Sequence, residues 1–198
     1  MKRQRWHLMI AASSLALLAG CAASSIANTA LELVGIRKPP ELPESQLPPR
    51  KVDIRLHASS SLNTDPSGRP LALVARIYKL RQTSAFEQMS YESFLNTHTE
   101  HEALGNDLLE VKEVLLIPGQ HYEVQEKVQR EAAYIGVVAL FRAPAEQRWR
   151  LSFAAADAEK SGITVGAHAC ALSIGAGAGP LGDSRPALNE PLANLHCL

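Results

Sequence analysis

Residues 52–80 read VDIRLHASSSLNTDPSGRPLALVARIYKL. The first seven alternate. Val52, Ile54, Leu56 and Ala58 fall on one side and Asp53, Arg55 and His57 on the other, the pattern of a strand with one buried face. SSSLNTDPSGR (59–69) then gathers loop-forming residues, punctuated by Pro66 and Gly68. PLALVARIYKL (70–80) is apolar on both faces, as in a strand lying inside a sheet. A half-buried strand, a polar loop and a central strand at this spacing predict a β protein.

The chain to the C-terminal side keeps the same rhythm, with one interruption. In SAFEQMSYESFL (84–95), Ser84 and Glu87 have capping-box spacing, and Phe86, Met89 and Phe94 fall on one helical stripe, so a helical segment that packs on the core is expected here. DLLEVKEVLLI (107–117) returns to strand and ends at the turn signal Pro118-Gly119. HYEVQEKV (121–128) alternates, with Tyr122, Val124 and Val128 inward. AAYIGVVALF (132–141) is a continuous apolar run, as for a strand buried on both faces. RWRLSF (148–153) places Trp149, Leu151 and Phe153 in and Arg148, Arg150 and Ser152 out. GITVGAHACALSIG (162–175) is one long strand or a hairpin. The tail that follows is turn-rich, with at most a short helix in ALNEPLANL. The expected fold is therefore mainly β: a two-sheet sandwich of seven or eight strands with a helical insertion between strands 2 and 3.

The N-terminus has a different character. Lys2, Arg3 and Arg5 precede an apolar run from Leu8 to Leu18, which is the layout of an export signal. That run is shorter than the roughly 20 residues a spanning helix needs. Leu18-Ala19-Gly20-Cys21 resembles a bacterial lipobox, in which Cys21 takes a diacylglyceryl group and becomes the new N-terminus; Ala22, rather than Asp, implies the outer membrane. KPPELPESQLPPR (38–50) is Pro-rich and polar, an extended tether of about 3.1 Å per residue. The expected organisation is a signal peptide over 1–20, a lipidated N-terminus and tether over 21–50, the sandwich over 51–176 and a tail over 177–198.

Twenty basic and twenty acidic residues balance in 198, so no charge field recruits nucleic acid or an anionic surface. The few aromatics make a stacking platform for bases or sugars a poor fit. There is no Gly-x-Ser-x-Gly elbow, and GAGAGPLGDS lacks the Lys-Ser/Thr of a phosphate loop. HTEH, His98 to His101, has a metal-like composition in a polar stretch where a solvated helix end is the ordinary reading. Cys170 and Cys197 are an even pair in an exported chain, so a disulfide is the default, closing a loop worth about 3 kcal/mol. The competing patterns are free thiols, or four zinc ligands drawn from His168, Cys170, His196 and Cys197. No convergent catalytic set appears, and an enzyme is not expected.

The order of features is itself informative: a lipobox cysteine, a Pro-rich tether, VDIRLHASSSLNTDPSGRPLALVARIYKL, FEQMSYESFL, LGNDLLEVKEVLLIPGQ, YIGVVALFR with RWR, and SGITV. From about Val52 to Ile174 the chain resembles the outer-membrane lipoproteins of type VI secretion systems (TssJ). The resemblance implies a transthyretin-like sandwich facing the periplasm, with no cofactor beyond the covalent lipid on Cys21. It also implies a structural role, in which the lipoprotein binds the periplasmic part of the inner-membrane subunit TssM. In the family much of that contact is made by the loop between the first two strands. Here that loop is Ser59, Ser60, Ser61, Leu62, Asn63, Thr64, Asp65, Pro66, Ser67, Gly68 and Arg69. Leu62 is the apolar candidate for an anchor, and Asn63, Thr64 and Asp65 are candidates for polar contacts. Alternatively, Leu62 packs back on its own sandwich and Asn63 only shapes the turn. A ligand- or sugar-binding lipoprotein and a zinc hydrolase are the competing functional classes.

Overall fold

A computed structural model describes residues 42–182 and 191–197. The chain divides after Leu42, and the architecture is that of the unit Pro43–Leu198. The expected signal peptide, the expected lipobox with Cys21 and most of the expected tether lie outside the described residues. β1 (Arg50–Ala58) keeps the alternation of its sequence: Val52, Ile54, Leu56 and Ala58 are buried, and Asp53 on the other face is exposed. It pairs antiparallel with β4 (His121–Val128) and parallel with β7 (Ile163–Ala167), which turns back into β8 (Leu172–Ile174). The second sheet is built on β2 (Leu73–Leu80), buried along almost its whole length between β3 (Leu108–Leu116) and β5 (Tyr134–Ala139). β6 (Arg150–Ala154) completes it beside β5. The two four-stranded sheets have the orders β4-β1-β7-β8 and β3-β2-β5-β6, and one apolar core fills the space between them.

The parallel β1–β7 pair needs a crossover, because adjacent parallel strands cannot be joined by a tight turn. That connection runs through the whole second sheet and ends in a helix absent from the sequence reading: α4 (Ala155–Ser161) follows β6 directly, leads back to β7 in the first sheet and buries Ala155 and Ala158. Its small residues match neither the strand nor the helix template strongly, and the burial of those alanines is a tertiary fact.

The insertion between β2 and β3 is helical, but it is not one stripe. It comprises α1 (Ser84–Gln88), α2 (Tyr91–Leu95) and α3 (Thr97–Leu104). The expected capping box is not formed. Thr83 precedes the first helix with no side-chain cap, and the Glu87 carboxylate instead accepts from Ser152 Oγ at 2.7 Å. Phe86, Met89 and Phe94 are all buried, from two different helices. Phe86 lies against Gly136 of β5, where a Cβ would stand 2.6 Å from the ring's Cζ. Only glycine lets the helix approach the sheet this closely.

These helices cover the outer face of the second sheet and so bury Ser152, while Arg148 is buried instead against β8 of the first sheet. Arg148 and Ser152 were expected to face solvent, yet each is only 2 % exposed. Arg148 donates through Nε to the Leu172 carbonyl at 3.1 Å. Arg150 reaches the carbonyls of Phe86, Glu87 and Met89, where a cation meets the unpaired carbonyls at the end of α1. The same face holds a buried polar cluster. Glu100 of α3, 2 % exposed, accepts from Arg76 Nη1 at 2.7 Å and from the Tyr78 hydroxyl at 2.5 Å. Arg76 also binds Glu113 and the Phe94 carbonyl. Burial first, and then the Glu100 carboxylate, push the Tyr78 phenol far above its ordinary range, so it remains a hydrogen-bond donor.

On β4, Tyr122 and Val124 are half-buried and Val128 is buried, but Glu126 also turns inward. Burial by itself would raise its carboxyl; the hydrogen bonds from Lys112 and Lys79 outweigh that and hold it below the ordinary value. The last residues of the tether are also held. Glu44–Gln46 form a 3-10 turn, and Arg130 donates from Nε to the Pro48 carbonyl at 2.7 Å while pairing with Glu159. The start of the tail packs on the body, where the Ala178 amide donates to the Gly162 carbonyl.

Candidate partner-binding surface

The loop after β1 crosses one end of the sandwich, and its backbone is hydrogen-bonded along most of its length. Ser59 N, Asn63 N and Thr64 N donate to the carbonyls of Ala167, His168 and Ala169 in the β7–β8 turn, at 2.8, 3.0 and 3.0 Å. The Ser59 carbonyl accepts from Gly119 N in the β3–β4 turn, and Leu71 N returns to the Leu62 carbonyl. The loop is therefore a pre-shaped surface whose conformation is set before any partner arrives.

Its side chains divide between inside and outside. Leu62 is fully buried in the main core, so the anchor reading is overturned: it packs back on its own sandwich. Asn63 is buried too and adopts φ +47°, a left-handed conformation that Asn tolerates better than most residues. Its amide ties three segments together, donating to the Ala72 carbonyl and accepting from Arg142 N, both at 2.8 Å. Thr64 caps its own turn through the Ser61 carbonyl. Ser60, Ser61, Pro66, Ser67, Gly68 and Arg69 are exposed.

Asp65 organises the tip. Its carboxylate accepts from Ser67 Oγ at 2.6 Å, from the amides of Ser67 and Arg69 at 2.8 and 3.0 Å, and from the Arg69 guanidinium at 2.9 Å. The Ser67 hydroxyl, followed by the Arg69 amide, lowers its pKa from 3.8 to about 2. A depressed carboxyl pKa contributes order that is complete above pH 4 and is lost as pH falls through about 2. In a carbon-detected NMR titration the Asp65 carboxyl is expected to show its midpoint near 2, and the Ser67 and Arg69 amide shifts to follow the same curve. A midpoint in the ordinary aspartate range of about 3.9 would show that the tip is not held in this way.

Three exposed large apolar residues gather at this end. Leu71 lies at the C-terminal end of the loop, 36 % exposed, and Leu115 and Ile117 at the end of β3 are 62 % and 55 % exposed. The β2–β3 register, Leu73 to Leu116 and Val74 to Leu115, carries both β3 residues to the loop end. The sequence reading missed them as site residues, although a signal was present: in EVLLI, adjacent leucines on a strand cannot both face inward.

The predicted cysteines meet. Cys170 and Cys197 form a disulfide across 27 residues of chain, beside a small apolar cluster of Ala145, Cys170 and Ala171 against which Leu195 packs. His98 and His101 are exposed on α3 while Glu100 between them turns inward. His57 and His121 stack at 4.6 Å, and His168 shares a 2.8 Å hydrogen bond with Ser173. Among the described residues no group of three or more His, Cys, Asp or Glu is placed to hold a metal ion, and no helix is long and apolar enough to cross a membrane.

The class the structure defines is a two-sheet β-sandwich with one pre-shaped, partly apolar end. The particular family follows from comparison: the model of the type VI secretion lipoproteins (VasD, EvfM, TssJ) matches residues 50–170, and the chain belongs to that family. It is similar to the solved structure of the type VI secretion lipoprotein TssJ1 from Pseudomonas aeruginosa, at 28 % identity over 68 % of this chain and 100 % of that one, with a TM-score of 0.56. A chain in the structure described as the TssM C-terminal domain from EAEC matches at 25 % identity over 62 % of this chain and 98 % of its own, TM-score 0.56. Lip from Serratia marcescens, described as a membrane-bound component of the type VI secretion system, shares the fold at 20 % identity over 68 % and 98 %, TM-score 0.54. Comparison with curated proteins found no match.

Proposed function

We propose that this chain is a structural subunit of a type VI secretion envelope complex, anchored at the outer membrane by lipid on Cys21, whose loop end binds the periplasmic domain of the inner-membrane subunit TssM. Residues 1–20 are then the signal peptide, 21–50 the lipidated tether, 51–176 the binding domain and 177–198 a tail pinned to it. The observation that carries the reading is the exposure of Leu71, Leu115 and Ile117 at the same end of the sandwich as a loop whose backbone is already ordered. Family membership and the likeness to a chain in the TssM structure support it. The layout suits the task. The chain enters β1 at Arg50 and leaves it for the loop at Ala58, eight residues on, so the entry of the domain and its binding end are about 26 Å apart at ~3.3 Å per residue. Lipidation with more than one chain anchors firmly where a single chain is marginal.

Cys21→Ser is expected to move the protein from the outer-membrane fraction to the soluble periplasmic fraction and to reduce type VI secretion to background. Full secretion by the soluble variant would overturn the anchoring reading. Co-purification of TssM with the lipidated wild-type protein from envelope fractions tests the partner directly.

A further inference from the structure

We infer that the C-terminal tail, bridged through Cys170–Cys197, is the brace that holds the β1–β2 loop in shape. Four successive carbonyls of the β7–β8 turn are taken by neighbouring backbone. Ala167, His168 and Ala169 accept from Ser59, Asn63 and Thr64 of the loop, and Cys170 accepts from Ala145 at 2.8 Å. The turn is thus a ledge on which the loop rests. A ledge holds only as firmly as its own support. β8, which follows it, is three residues long, and the turn closes on itself through a single bond, His168 N to the Ala171 carbonyl. Arg148 meets Leu172 through both its carbonyl and its Nε, and the tail adds a covalent support at the turn itself. The disulfide ties Cys170 to Cys197, and Leu195 packs on Ala145, Cys170 and Ala171 in a cluster separate from the main core. Arg142, three residues before Ala145, closes the circuit by donating its amide to Asn63 Oδ1. Turn, 142–145 segment and loop therefore form one hydrogen-bonded unit, to which the tail is joined by the disulfide and by Leu195, and its order is separable from that of the two sheets.

The inference deepens the proposed role of the loop, but its test needs no partner. Amide hydrogen exchange is measured on the periplasmic domain of the full chain and on the double variant Cys170→Ser/Cys197→Ser, which leaves no free thiol. Exchange at Asn63 and Thr64 is expected to accelerate about tenfold or more, while Ile77 in β2 and Val137 in β5 keep their protection. Leu195→Asp, which retains the bridge, is expected to speed the same two amides by a smaller factor. Unchanged exchange at Asn63 and Thr64 in both variants would overturn the brace, as would a uniform acceleration of loop and core amides. If loop exchange rises as expected while the wild-type domain fails to bind TssM, the brace stands and the partner assignment falls.

Discussion

Glu100→Ala is expected to destabilise the domain by about 3–5 kcal/mol, the usual effect of removing one partner from a buried ion pair. Glu100 is 2 % exposed and accepts from both Arg76 and Tyr78. Its removal leaves a guanidinium and a phenol beneath the helices with their principal acceptor gone. Arg76 retains Glu113, but that carboxylate stands at the exposed rim, with a side chain 57 % exposed. Glu113→Ala is therefore expected to cost no more than about 1 kcal/mol. The contrast isolates burial as the cause, because both substitutions remove a carboxylate from the same arginine. Urea unfolding reads both, as a shift in midpoint with the slope retained. Replacing the pair together, Arg76→Met with Glu100→Leu, should recover much of the loss, since neither charge is then stranded. Equal effects of Glu100→Ala and Glu113→Ala would remove the cluster from its role in seating the insertion.

The second large effect concerns binding. Leu71→Asp combined with Ile117→Asp is expected to weaken association with the periplasmic domain of TssM at least about thirtyfold, the range of an interface hot spot. Stability should change by no more than about 0.5 kcal/mol at Ile117, whose side chain is more than half exposed, and by about 1 kcal/mol at Leu71, which is 36 % exposed. Leu62 makes the opposite prediction. It is fully buried, so Leu62→Ala should cost about 2–5 kcal/mol in stability and reduce binding only through the fold. Calorimetric titration and thermal melting of the same samples separate the two. Wild-type affinity in the Leu71/Ile117 variant would place the interface at another face of the sandwich.

Much of the architecture was legible because it rests on local periodicity. The alternation of VDIRLHA required a strand with one buried face, and the unbroken apolar runs of β2 and β5 required strands inside a sheet. Pro118-Gly119 marked a turn that the structure forms. The errors share a cause. Arg148 and Ser152 were assigned to water because a strand with one polar face ordinarily has one face solvated; here the helical insertion covers Ser152 and β8 of the other sheet takes Arg148. Glu100 sits in the most polar stretch of the chain, and its partners lie 22 and 24 residues away. Ser84 and Glu87 have the spacing of a capping box, yet Glu87 is taken by Ser152, 65 residues distant.

The candidate surface divides along the same line. From sequence alone came a mainly β domain, an even cysteine pair, a polar loop after the first strand and the expectation of an exported chain with a lipobox, because each depends on residues close together in the chain. Which loop residues face a partner was not legible. Leu62 and Leu71 are both leucines in the same connection, and nothing local distinguishes them. The main core takes the first and leaves the second partly exposed, at the end of the sandwich where Leu115 and Ile117 are also exposed. That choice is made by the packing of two sheets against each other, and by a disulfide-held turn that supplies carbonyls to the loop. Both exist only once segments more than 100 residues apart have come together.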